Sequence, residues 1–212
     1  MRNNFSLAQC LYNEGGSAKD NVHDLLAAAE QDESLLAKHF TNDELDNRPI
    51  RTAVQLAAGD AYEAELELYI NYMELFIDAM REILGLETVI DVTQATDDEV
   101  KPFYGVSQNI SGDINITVGV IATEAIYLKL AACYSDEEFT EVDELAVDSL
   151  EELLNVINGL FCIELANDKI EAELGIPRTM RNITPKGTHQ LQIKAYNKLG
   201  AFKVILAADE FL

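Results

Sequence analysis

An apolar stripe between residues 150 and 161 constrains the fold of this chain more than any other feature. At about 100° per residue its members fall on one side of an α-helix, with the spacing of a core-facing surface. They are Leu150, Leu153, Leu154, Ile157, Leu160 and Phe161. The roughly opposite side carries Asp148, Glu152, Asn155 and Gly159. The sequence therefore predicts a helix that buries one face and presents a carboxylate and a carboxamide, one turn apart, to solvent.

Helical and strand-like patterns are segregated along the rest of the chain. Helices are predicted over 18–40, 50–58, 61–84, 123–134 and about 143–167, and Gly85 is a candidate helix cap. Strands are predicted over 89–92, 103–106, 114–120, 169–176, 190–195 and 201–207, with a hairpin turn over 109–113. Such runs predict an α+β fold, in which an antiparallel sheet of about six strands has long helices packed on one face.

Charge narrows the possible partners. The 212 residues carry a formal net charge of −23, with a sequence pI near 4.2. A phosphate backbone or an anionic bilayer would be repelled by such a surface, so neither nucleic acid nor membrane is an expected partner. No apolar run approaches the roughly 20 residues that span a bilayer, and residues 1–6 have no apolar signal-peptide core.

Cysteine and histidine usage bears on compartment and metal binding. Cys10, Cys133 and Cys162 are odd in number and far apart, as expected of reduced thiols in a cytoplasmic protein. The three histidines, at positions 23, 39 and 189, are not spaced as ligands of a zinc site. We therefore expect this chain to bind no metal of its own.

The pair of polar residues on the outer face of the predicted helix is not specific by its spacing alone. Glu-x-x-Asn occurs three times, at 44–47, 152–155 and 164–167, and an ordinary solvated helix face explains each copy. The middle copy alone has an acidic residue four positions earlier, Asp148, and a proline after a strand candidate, Pro177. This context distinguishes Glu152 and Asn155 from the other two pairs.

The extended arrangement resembles the CheC/CheX/FliY family of chemotaxis phosphatases. The family pattern is Asp or Ser, three residues, Glu, two residues, Asn, 22 residues and Pro; here the last gap is 21 residues. Residues 152–159 also have the Glu-Leu-x-Asn-x-Ile-x-Gly form typical of the CheX branch. The resemblance extends over about 66–212, which predicts a CheX-like domain over 61–212 and an N-terminal helical extension over 1–60.

The resemblance implies hydrolysis of the aspartyl phosphate of a CheY-like response regulator. It makes Glu152 and Asn155 the candidate catalytic residues. Asn155 would orient the attacking water, and Glu152 would pair with a lysine of the partner. Asp148, Gly159 and Asn158 are candidate partner-binding residues, although Asn158 also fits a buried hydrogen-bonding role. Magnesium is expected on the response regulator and no cofactor on this chain. A homodimer is a further expectation.

Two other functions are compatible with the same sequence. The same fold could be a non-catalytic CheX-like adaptor in two-component signalling, or a structural oligomerisation domain. Exposure of Glu152 and Asn155 separates these alternatives in part, because a buried pair could not act on a docked protein.

Overall fold

Four helices and seven strands make up the described part of the chain in a computed structural model, which describes residues 48–59, 65–91, 103–182 and 190–208. The helices are α1 (Arg48–Ala58), α2 (Leu66–Leu84), α3 (Glu124–Ser135) and α4 (Glu144–Asn167). The strands are β1 (Val89–Ile90), β2 (Phe103–Gly112), β3 (Asn115–Thr123), β4 (Ala172–Leu174), β5 (Arg178–Arg181), β6 (Gln190–Asn197) and β7 (Gly200–Ala207).

The α+β class and the antiparallel sheet predicted from the sequence are confirmed, with seven strands instead of about six. The additional strand is β5, which follows β4 and lies just beyond the single strand predicted over 169–176. The helix predicted over 18–40 lies outside the described residues. None of the described helices is both long and apolar enough to cross a membrane.

The chain divides into two compact units, and the first contains α1, α2, β1 and the end of β6. Helix α2 ends at Gly85, as predicted, because this residue takes the left-handed conformation (φ 62°) that a helix C-cap favours. The guanidinium of Arg51 on α1 holds the carboxylate of Glu67 on α2 through two hydrogen bonds of 2.5 and 2.8 Å. The predicted boundary between residues 60 and 61 falls among undescribed residues and stays a prediction.

The second unit contains β2 to β5, α3, α4, the start of β6 and most of β7. Strands β2 and β3 form a long hairpin, in register from Phe103↔Thr123 to Ser111↔Asn115. The hairpin turn comes at residues 113–114, later than predicted, because β2 continues through Gly112. Strand β7 pairs with the other edge of β3. The second edge of β2 is covered by β4 and β5, one after the other.

The register along this edge changes between β4 and β5. Ile110 pairs with Leu174, whereas Ser107, three residues earlier on β2, pairs with Arg178, four residues later on the other side. Residues 175–177 therefore contain one residue more than the stretch of β2 that they face. Such an insertion is a β-bulge, which interrupts the ladder and redirects local groups.

Helices α3 and α4 lie on the same face of β2. Tyr104 packs against Tyr127 of α3, with 5.4 Å between ring centroids, and Gln108 bonds to α4. Residues 104 and 108 share a face because side chains alternate along a strand. Helix α4 begins where the Asp143 carboxylate accepts a hydrogen bond from the backbone N–H of Ala146 at 2.9 Å.

The apolar stripe of α4 is buried as predicted, with one exception. Leu160 is 40% exposed, because at 100° per residue it lies about 80° from Leu150, at one margin of the stripe. Asn158 lies at the opposite margin and is fully buried. That margin of α4 therefore faces the sheet.

Candidate functional site

The outer face of α4 carries the residues that the sequence singled out. Asp148 and Glu152 are exposed, and Asn155 and Gly159 are half-buried. Asn158 points away from this face and has 0% exposure. The fold thus places four of the five predicted site residues on one surface, whereas Asn158 has no exposed atoms for a docked partner to contact.

The carboxamide of Asn155 is hydrogen-bonded to a side chain of β2. Its Oδ1 accepts a hydrogen bond from Nε2 of Gln108 at 2.8 Å. The same Nε2 group donates its second hydrogen to the backbone carbonyl of Gly175, also at 2.8 Å. On the other side, Oε1 of Gln108 accepts from Nδ2 of Asn158 at 2.8 Å. Gln108 is only 1% exposed, so all three contacts lie at the inner boundary of the site.

The carbonyl of Gly175 determines the direction of every bond in this network. A carbonyl oxygen can only accept, so the atom of Gln108 facing it must be the nitrogen. The nitrogen also faces Asn155, which must therefore present its oxygen to Gln108. The Nδ2 group of Asn155 consequently lies on the side of the carboxamide away from Gln108. Both backbone polar groups of Gly175 are engaged, since its N–H donates to the carbonyl of Asn109 at 2.8 Å.

Pro177 lies in the same segment as Gly175, within the β-bulge. It is half-buried, and Ile176 beside it is 83% exposed. Gln108 links this segment to Asn155, because one Nε2 group bonds both Gly175 and Asn155. The structure thus brings the segment that contains Pro177 to the Asn155 side of α4, although its gap from Asn155 is one residue shorter than the family pattern.

Sequence reasoning missed Gln108 and Gly175. A signal for Gln108 is present in the sequence, because Tyr104, Val106 and Ile110 alternate as inward-facing residues on β2 and position 108 interrupts them with an amide. A polar residue at an inward position of a strand needs a buried partner. The identity of that partner is not local information, since Asn155 comes 47 residues later.

Glu152 lies near the phenol of Tyr134 on α3. Partial burial raises the pKa of Tyr134, and the negative charge of Glu152 raises it further. The exposed carboxylate of Glu152 therefore stands at the junction of α3 and α4. With Asp148 one turn earlier, it gives this surface two exposed negative charges.

Gly159 leaves open space next to the polar pair. A Cβ atom placed on this glycine would have no heavy atom within 4 Å outside its own helix segment. The absence of a side chain is therefore not required by packing against the residues that the structure describes. It leaves the helix backbone accessible to an approaching surface.

The described residues also bear on metal binding. Within 48–59, 65–91, 103–182 and 190–208, no three His, Cys, Asp or Glu side chains are grouped to hold a metal ion. Burial raises the pKa of the Cys162 thiol on α4. The chemistry that this face offers is therefore a neutral, oriented carboxamide beside a carboxylate.

A family model described as "Chemotaxis phosphatase CheX" matches residues 104–196. The matched segment begins in β2 and ends in β6, so it includes Gln108, Glu152, Asn155 and Pro177. None of the curated proteins compared with the sequence matches it.

Solved structures of CheX proteins share the fold. The chemotaxis protein CheX from Desulfovibrio desulfuricans superposes with a TM-score of 0.54 at 13% identity, covering 66% of this chain and 98% of that one. CheX from Vibrio vulnificus gives 0.53 at 12%, with 64% and 92% covered. A chain of the CheX–CheY–BeF3–Mg2+ complex from Borrelia burgdorferi gives 0.51 at 19%, with 64% and 96% covered.

Together, the family match and the shared fold confirm the resemblance to the CheC/CheX/FliY chemotaxis phosphatases that the sequence predicted. The described fold is CheC/CheX-like.

Proposed function

We propose that this protein removes the phosphoryl group from the aspartyl phosphate of a CheY-like response regulator. The match to the CheX family model supports phosphatase activity. A similar chain occurs in a complex with CheY and BeF3, which supports a CheY-like partner. The observation that carries the proposal is the oriented carboxamide of Asn155 on the exposed face of α4.

Asn155 acts by positioning water. Hydrolysis of an acyl phosphate needs a water molecule in line with the phosphorus, and most of the catalysis comes from orientation and charge stabilisation. Oδ1 of Asn155 has a second lone pair that accepts from the water, and Nδ2 donates hydrogen bonds. The group works without ionising, so its activity does not depend on a shifted pKa.

Glu152 acts in docking, since a carboxylate placed against a phosphoryl group would be repelled. Its exposed charge pairs with a lysine beside the phosphorylated aspartate of the partner, through a charge-assisted hydrogen bond. Asp148 adds a second negative charge one turn away, and Gly159 permits close approach of the partner backbone. The magnesium ion is held by the response regulator, with its phosphoryl group.

The test is phosphate release from a CheY-like response regulator phosphorylated with acetyl phosphate in the presence of Mg2+. The wild-type protein accelerates release, and Asn155→Ala reduces kcat by about a hundredfold or more, the cost typical of a misplaced reactant. A matched control is Asn167→Ala, because Asn167 is exposed on the same helix and belongs to another Glu-x-x-Asn pair. This control keeps wild-type kcat.

Two outcomes would contradict the proposal in different ways. Equal rates for the wild type and Asn155→Ala would remove the mechanism. Tight binding of the phosphorylated regulator without faster hydrolysis would leave the adaptor function instead.

Self-association also stays a prediction, and the molar mass measured by light scattering tests it.

A further inference from the structure

Gln108 is an unusual residue for its position in the sheet. Its neighbours on the same face of β2, Val106 and Ile110, are buried and apolar, and Gln108 itself is 1% exposed. A buried amide is costly unless its donors and acceptor find partners. Here Nε2 bonds two acceptors and Oε1 accepts from Asn158, so the fold has built a complete set of partners around this side chain.

One of those partners belongs to the candidate site. We propose that Gln108 is a positioning residue, which selects a single orientation of the Asn155 carboxamide and thereby fixes where its Oδ1 and Nδ2 meet the attacking water. Gly175 and Asn158 act in turn on Gln108, by holding its amide from both ends. This inference rests on the proposed phosphatase function and deepens it.

The physical need for such a device comes from the asparagine side chain. Its terminal torsion is broad and roughly two-fold, so a free carboxamide samples many orientations, including the one that exchanges oxygen and nitrogen. An exchanged carboxamide would present a donor where the water needs an acceptor. A hydrogen bond from Nε2 of Gln108 to Oδ1 selects against the exchanged form. It also polarises the Asn155 amide, which strengthens the N–H groups on its other side.

Gln108 is hydrogen-bonded both to α4 and to the bulge between β4 and β5. The orientation of the Asn155 carboxamide therefore does not depend on α4 alone. Gln108 belongs to β2, Asn158 belongs to α4, and Gly175 belongs to the bulge between β4 and β5. The Nε2 group thus ties the candidate catalytic residue to the sheet and to the segment that contains Pro177. We expect the loss of any of these hydrogen bonds of Gln108 to change the orientation of the Asn155 carboxamide.

The first experiment separates turnover from binding. Gln108→Met keeps the length of the side chain and removes all of its hydrogen bonds. Dephosphorylation of the acetyl-phosphate-treated response regulator is measured as kcat and KM. We expect kcat to fall between about tenfold and a hundredfold, with KM within about twofold, because the docking residue Glu152 is untouched.

Val106→Ala is the matched control. Val106 is buried two residues earlier on the same face of β2, so its truncation disturbs the core without touching the network. We expect it to keep wild-type kcat. The double variant Gln108→Met/Asn155→Ala should be no slower than Asn155→Ala alone, because two residues that act as one unit do not add. Wild-type kcat in Gln108→Met, or a purely additive double variant, would overturn the inference.

A spectroscopic measurement tests the contact between Gln108 and Asn155 without turnover. The side-chain ¹⁵N–¹H₂ resonances of Asn155 are assigned by their loss in Asn155→Ala. We expect them to move in Gln108→Met and to stay in place in Val106→Ala. Unmoved resonances in Gln108→Met would overturn the inference whatever the activity.

The two proposals fail in distinguishable ways. Full activity of Asn155→Ala removes the water-positioning mechanism itself, whereas an inactive Asn155→Ala together with a fully active Gln108→Met removes only the role of Gln108. If Gln108→Met does not fold, Gln108→Ala replaces it. The space it leaves is lined by three polar atoms that water can bond, and a mobile water does not impose one orientation on Asn155. The same kcat and resonance criteria apply.

Discussion

Gln108 on β2 and Asn155 on α4 are 47 residues apart in the chain and are joined by an Nε2–Oδ1 hydrogen bond of 2.8 Å. The bond makes the candidate site a joint property of the sheet and the helix. It also separates two kinds of residue on α4, since Asn155 is anchored from within and Glu152 reaches into solvent.

Glu152→Gln should weaken docking without slowing the chemical step. The substitution removes one exposed negative charge and keeps the shape of the side chain, so the free energy of unfolding should change by less than about 0.5 kcal/mol. We expect KM for the phosphorylated response regulator to rise several-fold, and the effect of added salt on KM to shrink. Glu141→Gln is the control, because Glu141 is exposed and lies before α4. An equal rise in KM in both variants would mean that only net charge matters.

Gly159→Ala should stabilise the fold and impair docking. A Cβ at this position meets no neighbour within 4 Å, so the helix gains about 0.5–1 kcal/mol from the loss of a glycine. If the partner approaches the backbone here, its affinity falls. Urea unfolding measures the first effect and titration with the beryllofluoride-loaded response regulator the second. Higher stability with unchanged affinity would place the partner elsewhere on α4.

Gly112→Ala should have the opposite effect on stability. Gly112 has φ 139°, and its Cβ would lie 2.4 Å from the backbone carbonyl of Glu171. That carbonyl is already bonded to the N–H of Asp113, so it cannot move away easily. We expect a loss of at least about 1–3 kcal/mol in the free energy of unfolding, the range for backbone strain at such positions. A stability equal to the wild type would show that the β2–β4 junction relaxes freely.

Tyr127 should contribute to loss of stability in alkali. Burial raises its pKa to about 12, and its hydroxyl lies 3.1 Å from that of Thr179. An unfolded tyrosine ionises near pH 10. Between about pH 10 and 12 Tyr127 ionises only in the unfolded state, so the free energy of unfolding falls as the pH rises through this window. Below about pH 10 the stabilisation from neutral Tyr127 is fully present. Tyr127→Phe should show a shallower decline in urea unfolding between pH 9 and 11. Equal slopes would contradict the assignment.

Helical periodicity explains what could be predicted of the site. Glu152 and Asn155 fall on the outer face of α4 because the apolar stripe opposite them determines which face of the helix is buried. Leu160 was predicted to be buried and is exposed, since a residue at the margin of the stripe, about 80° from Leu150, can face either way. Which margin is covered depends on the position of the sheet, which local periodicity does not contain.

Non-local pairing explains what could not be predicted. Strand β5, with the sequence Arg178-Thr-Met-Arg181, is short and mostly exposed, without the alternation that marks a half-buried strand. It exists because β2 offers it an unpaired edge. The contact of Gln108 with Asn155 depends in the same way on the packing of α4 against β2, which is decided over the whole second unit.

The β-bulge at residues 175–177 bears on how sequences of different lengths could build the same site. In an uninterrupted ladder, losing one residue between α4 and β5 would turn every later side chain to the opposite face of the sheet. Here β4 and β5 each keep their own pairing with β2, and the spare residue between them takes up the difference. The bulge is therefore a position where a one-residue insertion or deletion can be accommodated without changing the pairing register of the strands on either side.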